Sequence, residues 1–466
     1  MTTTAGTAWD AGVSWAQVQD EALERLRTYV RFPTVNDPNA LDGADPARSA
    51  DESPAAGWLA GLLEAEGIEH ELLEAAPGRV SLIARLPAAT PGNGSITLLS
   101  HSDVVPVVRG DWDLDPFAAD VVDGYLYGRG VLDLKGLGIA QLTTMILLHR
   151  LRVPLAREVR LVVAADEETG GTYGAHWLLE NRPELLATSL VLGEGAFSPV
   201  DAVPGGGTLH TLAVAEKGYL ELELSVDGTP HHAGMPDPDS APALLVRALQ
   251  RILDQPEPAR ITEPTARLCA VLAESESGLH RALLRRPALL QRIGGGPLRK
   301  NPLIAAMITQ TCALTVLSSG YKANVVPGRA TATLSLRLLP GGTPEAVVER
   351  LQKVAREPRL QIRTVMHKAP YESSFTTADF ELLTGALHQL DPSARTAPIL
   401  SPGASDARFW RAAGVPAFGW VPFPLPAADI HGMHGSNERV ALDAFRDGLR
   451  LYAGVVAAAA TASPDR

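Results

Sequence analysis

Apolar residues recur at helical spacing between Trp15 and Val30, at Val18, Ala22, Leu26 and Val30, and predict a first helix that Pro33 stops. A second helix is expected after Pro54, through Leu59 and Leu63, with Gly67 ending it. Short apolar runs then alternate with helical stretches: Val80–Leu86, Ile96–Leu99, Val159–Ala165 and Leu190–Leu192. These runs are nearly continuous rather than alternating, which predicts parallel strands covered by helices on both faces. A long apolar helix, about Leu137 to Leu151, serves as a crossover between them. This half reads as α/β.

The period changes near Leu212. Tyr219 to Leu224 alternates apolar and polar, as does Ala330 to Arg337, so an antiparallel sheet with one wet face is predicted. Helices at about Ala241–Leu253 and Pro344–Ala355 accompany it. The expected organisation is a larger domain of residues 1–211 and 369–466, interrupted by a smaller α+β domain of residues 212–368. Within the smaller one, about 256–310 is extra length of helical pattern, with a loop at Gly294-Gly295-Gly296. After Phe375 the α/β pattern resumes, with a strand at Ala417–Val421 and a final helix from Leu442.

Composition narrows the class. The chain has 466 residues, 45% of them hydrophobic, enough for a large core and too apolar for a disordered chain. Its formal charge of -12 argues against nucleic acid or an anionic membrane as partner. No basic-then-apolar leader is visible from Met1 to Gln17, and no run of about 18 apolar residues exists. Cys269 and Cys312 stand alone without CxxC spacing, so a reduced, cytoplasmic protein is expected.

Three predicted strands run into candidate ligands. Ile96–Leu99 leads to Ser100-His101-Ser102-Asp103, Val159–Ala165 to Asp166-Glu167-Glu168, and Leu190–Leu192 to Gly193-Glu194-Gly195. Ligands gather at the carboxyl ends of strands in open α/β sheets, so these groups are expected on one rim. Asp133 opens the crossover helix, and His431 and His434 lie near the end of the chain. Imidazole and carboxylate without thiolate suit zinc, or cobalt and manganese in its place. A carboxylate shared by two such ions would hold them about 3.5–4 Å apart. Taken singly, each residue has a plainer reading: Asp133 as a helix cap, the acidic run as a solvated turn, the histidines as surface residues.

The order and context of these segments resemble the M20 metallopeptidase family, which includes aminoacylases, acetylornithine deacetylase and glutamate carboxypeptidases. His101-Ser102-Asp103-Val104-Val105-Pro106, Gly128 to Gly136, Asp166-Glu167-Glu168-Thr169-Gly170, Glu194-Gly195 and His434 to Val440 match its motifs in order. The extra length in the small domain is most similar to the branch of carboxypeptidase S and the N-fatty-acyl amino acid hydrolases. The resemblance implies a zinc-peptidase-like catalytic domain with a mixed, mainly parallel sheet, interrupted by a lid and dimerisation domain. It implies two zinc ions: Asp133 bridging, His101 and Glu194 completing one site, Glu168 and His434 the other. Glu167 is then the general base, and Asp103 orients the ring of His101. Gly228 to Pro236 resembles the family's Gly-His-Ser-Ser-x-Pro segment, which makes His232 an oxyanion donor reaching into a partner subunit. His231 and Ala233-Gly234 depart from that pattern. Asn324 and Arg337 are implied to hold a substrate carboxylate, and Gly403 belongs to a loop resembling Gly-Gly-Thr-Asp-Ala-Arg beside the metals.

The expected function is metal-dependent hydrolysis of an amide or peptide bond in a small substrate with a free carboxylate, an N-acyl amino acid or a dipeptide, by a homodimer. The alternatives are a biosynthetic deacylase or other amide-processing enzyme on an unusual substrate, and a metal-binding dimer without catalysis. No Gly-x-Ser-x-Gly elbow, P-loop or dinucleotide fingerprint is present.

Overall fold

A computed structural model of the chain describes residues 8–37, 51–90, 92–203, 205–255, 257–293 and 302–462. Two sheets organise it. The larger has eight strands in the spatial order Glu69–Ala76, Arg79–Leu86, Glu158–Ala164, Ser95–His101, Leu190–Gly193, Ala417–Gly419, Leu209–Glu216 and Arg395–Ser401. The strands that lead to the candidate ligands are parallel: Ser95–His101 pairs in parallel with both Glu158–Ala164 and Leu190–Gly193. The Arg79–Leu86 strand departs from the expected parallel direction and runs antiparallel to both of its neighbours. Burial on two faces produces an unbroken apolar run whichever way a strand points, so its composition carried no directional signal.

Both faces are indeed covered. Leu82, Ile96, Leu98, Leu161 and Val163 share one core with the helices Trp15–Val30, Lys135–Arg150 and Leu442–Thr461. Ile83, Leu99, Val162 and Val191, which alternate with them, point the other way into a core with Leu178 and Trp410. The Lys135–Arg150 helix is buried from Lys135 to Leu148, which explains why it is apolar all round.

The smaller sheet is antiparallel, in the order Thr311–Ser319, Arg329–Leu338, Gly218–Asp227 and Gln361–Lys368. Leu220, Leu222, Leu224, Leu334 and Leu336 face the helices Ala241–Asp254 and Pro344–Ala355, and the alternate positions face away. The Leu209–Glu216 strand belongs to the large sheet, so the chain crosses between sheets at Lys217 rather than near Leu212. The return crossing follows Lys368. The extra length is helical at Glu263–Leu272, Gly278–Leu284, Pro287–Ile293 and Pro302–Ile308, while the loop expected at Gly294-Gly295-Gly296 lies outside the described residues. Among the described residues no helix is long and apolar enough to cross a membrane, and both cysteines are free.

Candidate metal centre

The carboxyl rim of the large sheet collects the predicted groups. His101 is the last residue of its strand, and Glu194 follows Leu190–Gly193 directly. Glu167 and Glu168 open a short 3-10 turn after Glu158–Ala164, while Asp133 lies two residues ahead of the Lys135–Arg150 helix. His434 arrives from a turn before the Arg439–Ala441 strand. Asp133 is central. One of its oxygens lies 3.1 Å from His101 Nε2 and the other 2.9 Å from His434 Nε2. Glu194 stands 3.8 Å from His101 Nε2, and Glu168 3.6 Å from His434 Nε2. Two groups result, His101 with Asp133 and Glu194, and Asp133 with Glu168 and His434, each with its ligand atoms within 4.8 Å of one another. His431 is exposed and belongs to neither group.

Second contacts hold this cage. His101 Nδ1 lies 3.0 Å from the backbone carbonyl of Asp103 and 3.3 Å from its carboxylate, which fixes the ring with Nε2 toward Asp133. The Asp103 carboxylate also accepts the backbone N–H groups of Glu167 (3.1 Å) and Glu168 (3.0 Å) and the amide of Asn36 (2.8 Å). It therefore positions the acidic turn as well as the imidazole. Glu438, fully buried, accepts from Arg129 Nη1, Gly130 N, Leu132 N and Asp133 N and so shapes the loop that presents Asp133. Sequence reading gave Asn36 and Glu438 no role. Glu438 stood inside a matched motif, and an acidic residue four positions after a ligand was the available signal; Asn36 offered none.

The electrostatics suit cations. Burial works to raise Asp133, but hydrogen bonds from both rings hold its carboxyl below the usual range. The His434 ring is pushed up to about 10, first by its hydrogen bond with Asp133 and then by the Glu168 carboxylate 3.6 Å away. Burial, with Asp133 and Glu167 adding to it, raises Glu194 well above its ordinary value. Glu168 Oε1 is buried and accepts no hydrogen bond. Three converging carboxylates, two imidazoles turned toward a common carboxylate and an orphaned carboxylate oxygen fit a pair of divalent cations.

Glu167 is set apart from the cage. Its carboxylate lies 3.8 Å from Arg408, and burial raises its carboxyl well above the usual range, with Asp406 adding to the shift and His101 opposing it. Arg408 also donates to the Gly170 carbonyl (2.7 Å) and the Ser405 carbonyl (2.9 Å). Gly403 is exposed in the same loop. The small sheet places its predicted residues differently. His232 is exposed, in a two-residue strand paired with Val325–Val326, and its ring accepts from Gly234 N at 3.0 Å. The carbonyl of Asn324 accepts from Ala233 N beside it. Among the described residues no hydrogen bond or ion pair links His232 to the cage. Arg337 lies far along another strand, its guanidinium 4.8 Å over the Tyr219 ring.

Fold and cage together point to a class: α/β hydrolases with two candidate cation sites that have Asp133 in common. Residues 97–458 match the profile described as Peptidase family M20/M25/M40, and the chain belongs to that family of peptidases and amidohydrolases. A human (Homo sapiens) N-fatty-acyl-amino acid synthase/hydrolase is 29% identical over 394 residues, 82% of this chain and 77% of that one. A probable carboxypeptidase S-like 2 protein of Dictyostelium discoideum is 29% identical over 366 residues, 77% and 70% of the two chains. In fold, the chain is similar to an M20 family metallo-carboxypeptidase from Sulfolobus solfataricus, with a TM-score of 0.69, 20% identity, and coverage of 94% of this chain and 99% of that one.

Proposed function

We propose that the protein hydrolyses the amide bond of a small N-acyl amino acid or dipeptide bearing a free carboxylate. The observation that carries this reading is Asp133, with an imidazole on each carboxylate oxygen and a glutamate on either side. His101, Asp133 and Glu194 would hold one cation and Asp133, Glu168 and His434 the other, zinc being the expected metal with cobalt or manganese as substitutes. Bound there, the cations would polarise the scissile carbonyl and ease the deprotonation of water. Glu167, next to a ligand but outside both groups, takes the proton of the attacking water and returns it to the departing amine nitrogen. Asp103 keeps both His101 and the Glu167 turn in register for that exchange. Arg337 receives the substrate carboxylate through its planar fork, and Asn324 and Gly403 are the further substrate-binding residues of this reading.

The working form is a homodimer in which the partner subunit's His232 donates to the carbonyl oxygen as it gains charge. Two observations support this. His232 is exposed without a link to the cage of its own chain, and the edge strand Thr311–Ser319 leaves Val316 and Leu317 open to solvent, 53% and 55% exposed. Catalysis then takes place in residues 1–211 and 369–466, while 212–368 supply the lid and the dimer contact.

Mixed dimers test the reading. Glu167→Gln should retain both metals and lose about 10²–10⁴ in turnover. His232→Ala should be similarly slow. After subunit exchange, each mixed dimer has one site with both defects and one with neither, so activity should rise toward roughly a quarter of wild type. Continued inactivity after exchange is confirmed by mass would exclude action between subunits. Loss of metal from Glu167→Gln would exclude its role as base.

A further inference from the structure

Lys368 ends the Gln361–Lys368 strand and stands in register with Tyr219, which faces Arg337 on its other side. These three residues form one row on the face of the small sheet opposite its helices, because their neighbours Leu220, Leu336 and Leu338 are buried in the helix-side core. Lys368 also reaches toward the large sheet. A Cβ built on Gly170 would lie 2.8 Å from its Nζ, and Gly170 closes the turn that holds Glu167 and Glu168. The row therefore leads from Arg337 across Tyr219 to the flank of the proposed base.

The row is cationic at its two ends, and Tyr219 between them donates its hydroxyl to Glu221 at 2.8 Å. Among the described residues neither Lys368 nor Arg337 has a carboxylate in ion-pair contact. Burial, then the nearby Arg408, lowers the Lys368 ammonium from its ordinary value; Arg337 adds to this, while Glu167 and Asp406 oppose it. Lys217, buried behind the row with its Nζ donating to the Thr309 carbonyl at 2.8 Å, is brought down to about 8 by burial and by Arg337. Like charges gathered this closely repel one another, and an anion between them relieves the repulsion. One carboxylate satisfies the fork of Arg337. The second cation, two strands from Arg337 and closer to Glu167, leaves room for a second anion.

We infer that Lys368 is a specificity-determining residue, and that the preferred substrates are amides whose amine half is a dicarboxylic amino acid. The α-carboxylate sits on Arg337 and the side-chain carboxylate on Lys368. This rests on the hydrolytic reading above and names its substrate class.

The test compares N-acetyl-L-glutamate with N-acetyl-L-glutamine on the metal-loaded dimer, and L-glutamate with L-glutamine by calorimetry. Wild type should favour the acidic substrate by about tenfold or more in kcat/KM, mainly through KM, as expected for one charge-assisted contact. Lys368→Met should lose that preference, the acidic substrate falling toward the neutral one, and Lys368→Arg should keep part of it. Calorimetry should show the same order of binding without turnover. A wild type indifferent to the side-chain charge, or a Lys368→Met variant that weakens both ligands equally, overturns the inference. Failure of every amide to be hydrolysed would instead reject the hydrolytic reading, while calorimetry still decides the role of Lys368.

Discussion

Ser198, His210 and Asp391 line up as hydroxyl, imidazole and carboxylate, with contacts of 3.0 and 3.5 Å. The order is that of a nucleophilic triad, but the partners rule out that use. Ser198 is fully buried, its Oγ donates to the Val421 carbonyl, and it accepts from Trp420 Nε1 at 3.0 Å. The trio instead pins the Arg395–Ser401 end of the large sheet to its neighbours. The His210 ring 3.5 Å away, ahead of the hydrogen bond from Ser393, lowers the Asp391 carboxyl from 3.8 to about 2. A depressed carboxyl stabilises the fold above its unfolded value, and that contribution is lost as pH falls through the folded one. Asp391→Asn should therefore cost about 1 kcal/mol at pH 7, and the gap to wild type should close between about pH 4 and pH 2. Thermal unfolding across that range checks it; a gap independent of pH would remove the charge from the explanation. Residues of this kind are hard to read from sequence. His101 and Glu194 stood out at the ends of apolar runs and Asp133 at the head of a predicted helix, whereas Asn36, Glu438 and Asp391 act through partners dozens to hundreds of positions away.

At the scale of elements, close approach matters more than propensity. The Ala417–Gly419 strand runs beside Leu190–Gly193, and a Cβ on Gly419 would lie 1.7 Å from the Glu194 carbonyl oxygen. Only glycine lets the strand pass without pushing a candidate ligand out of the cage. Gly419→Ala should cost about 1–3 kcal/mol in stability through overpacking and weaken metal retention at the His101–Glu194 site. Competitive chelation of the folded variant measures the second effect; wild-type retention would show that the Glu194 backbone tolerates the shift. This strand was legible as an apolar run, as were Ile96–Leu99 and Leu190–Leu192. Glu69–Ala76, Thr311–Ser319 and Gln361–Lys368 were not. They lie at sheet edges, and Gln361–Lys368 is exposed along nearly its whole length, so neither alternation nor a continuous apolar run marks it.

For the whole molecule, the switch from unbroken runs to alternation was expected near Leu212, a point that falls within the Leu209–Glu216 strand. Leu209–Glu216 is buried throughout and looks like any core strand, so its pairing with Arg395–Ser401 and Ala417–Gly419 is what assigns it to the large sheet. The two crossings that follow lie side by side. Glu216 N donates to the Tyr371 carbonyl at 3.2 Å, and Tyr219 is in register with Lys368. A chain that leaves and returns at one spot can be spliced there. Joining Lys217 to Ala369 through a short glycine-serine linker should give a shorter protein that still folds and still takes up two metals, while turning over no amide, because Arg337 and His232 are gone. Metal analysis and calorimetric unfolding of the spliced chain decide it, and a chain that fails to fold would show that the large sheet leans on its insert. If the splice holds, the small sheet is a cassette: grafted from one relative to another, it would carry the choice of substrate with it and leave the bond-breaking apparatus to the host.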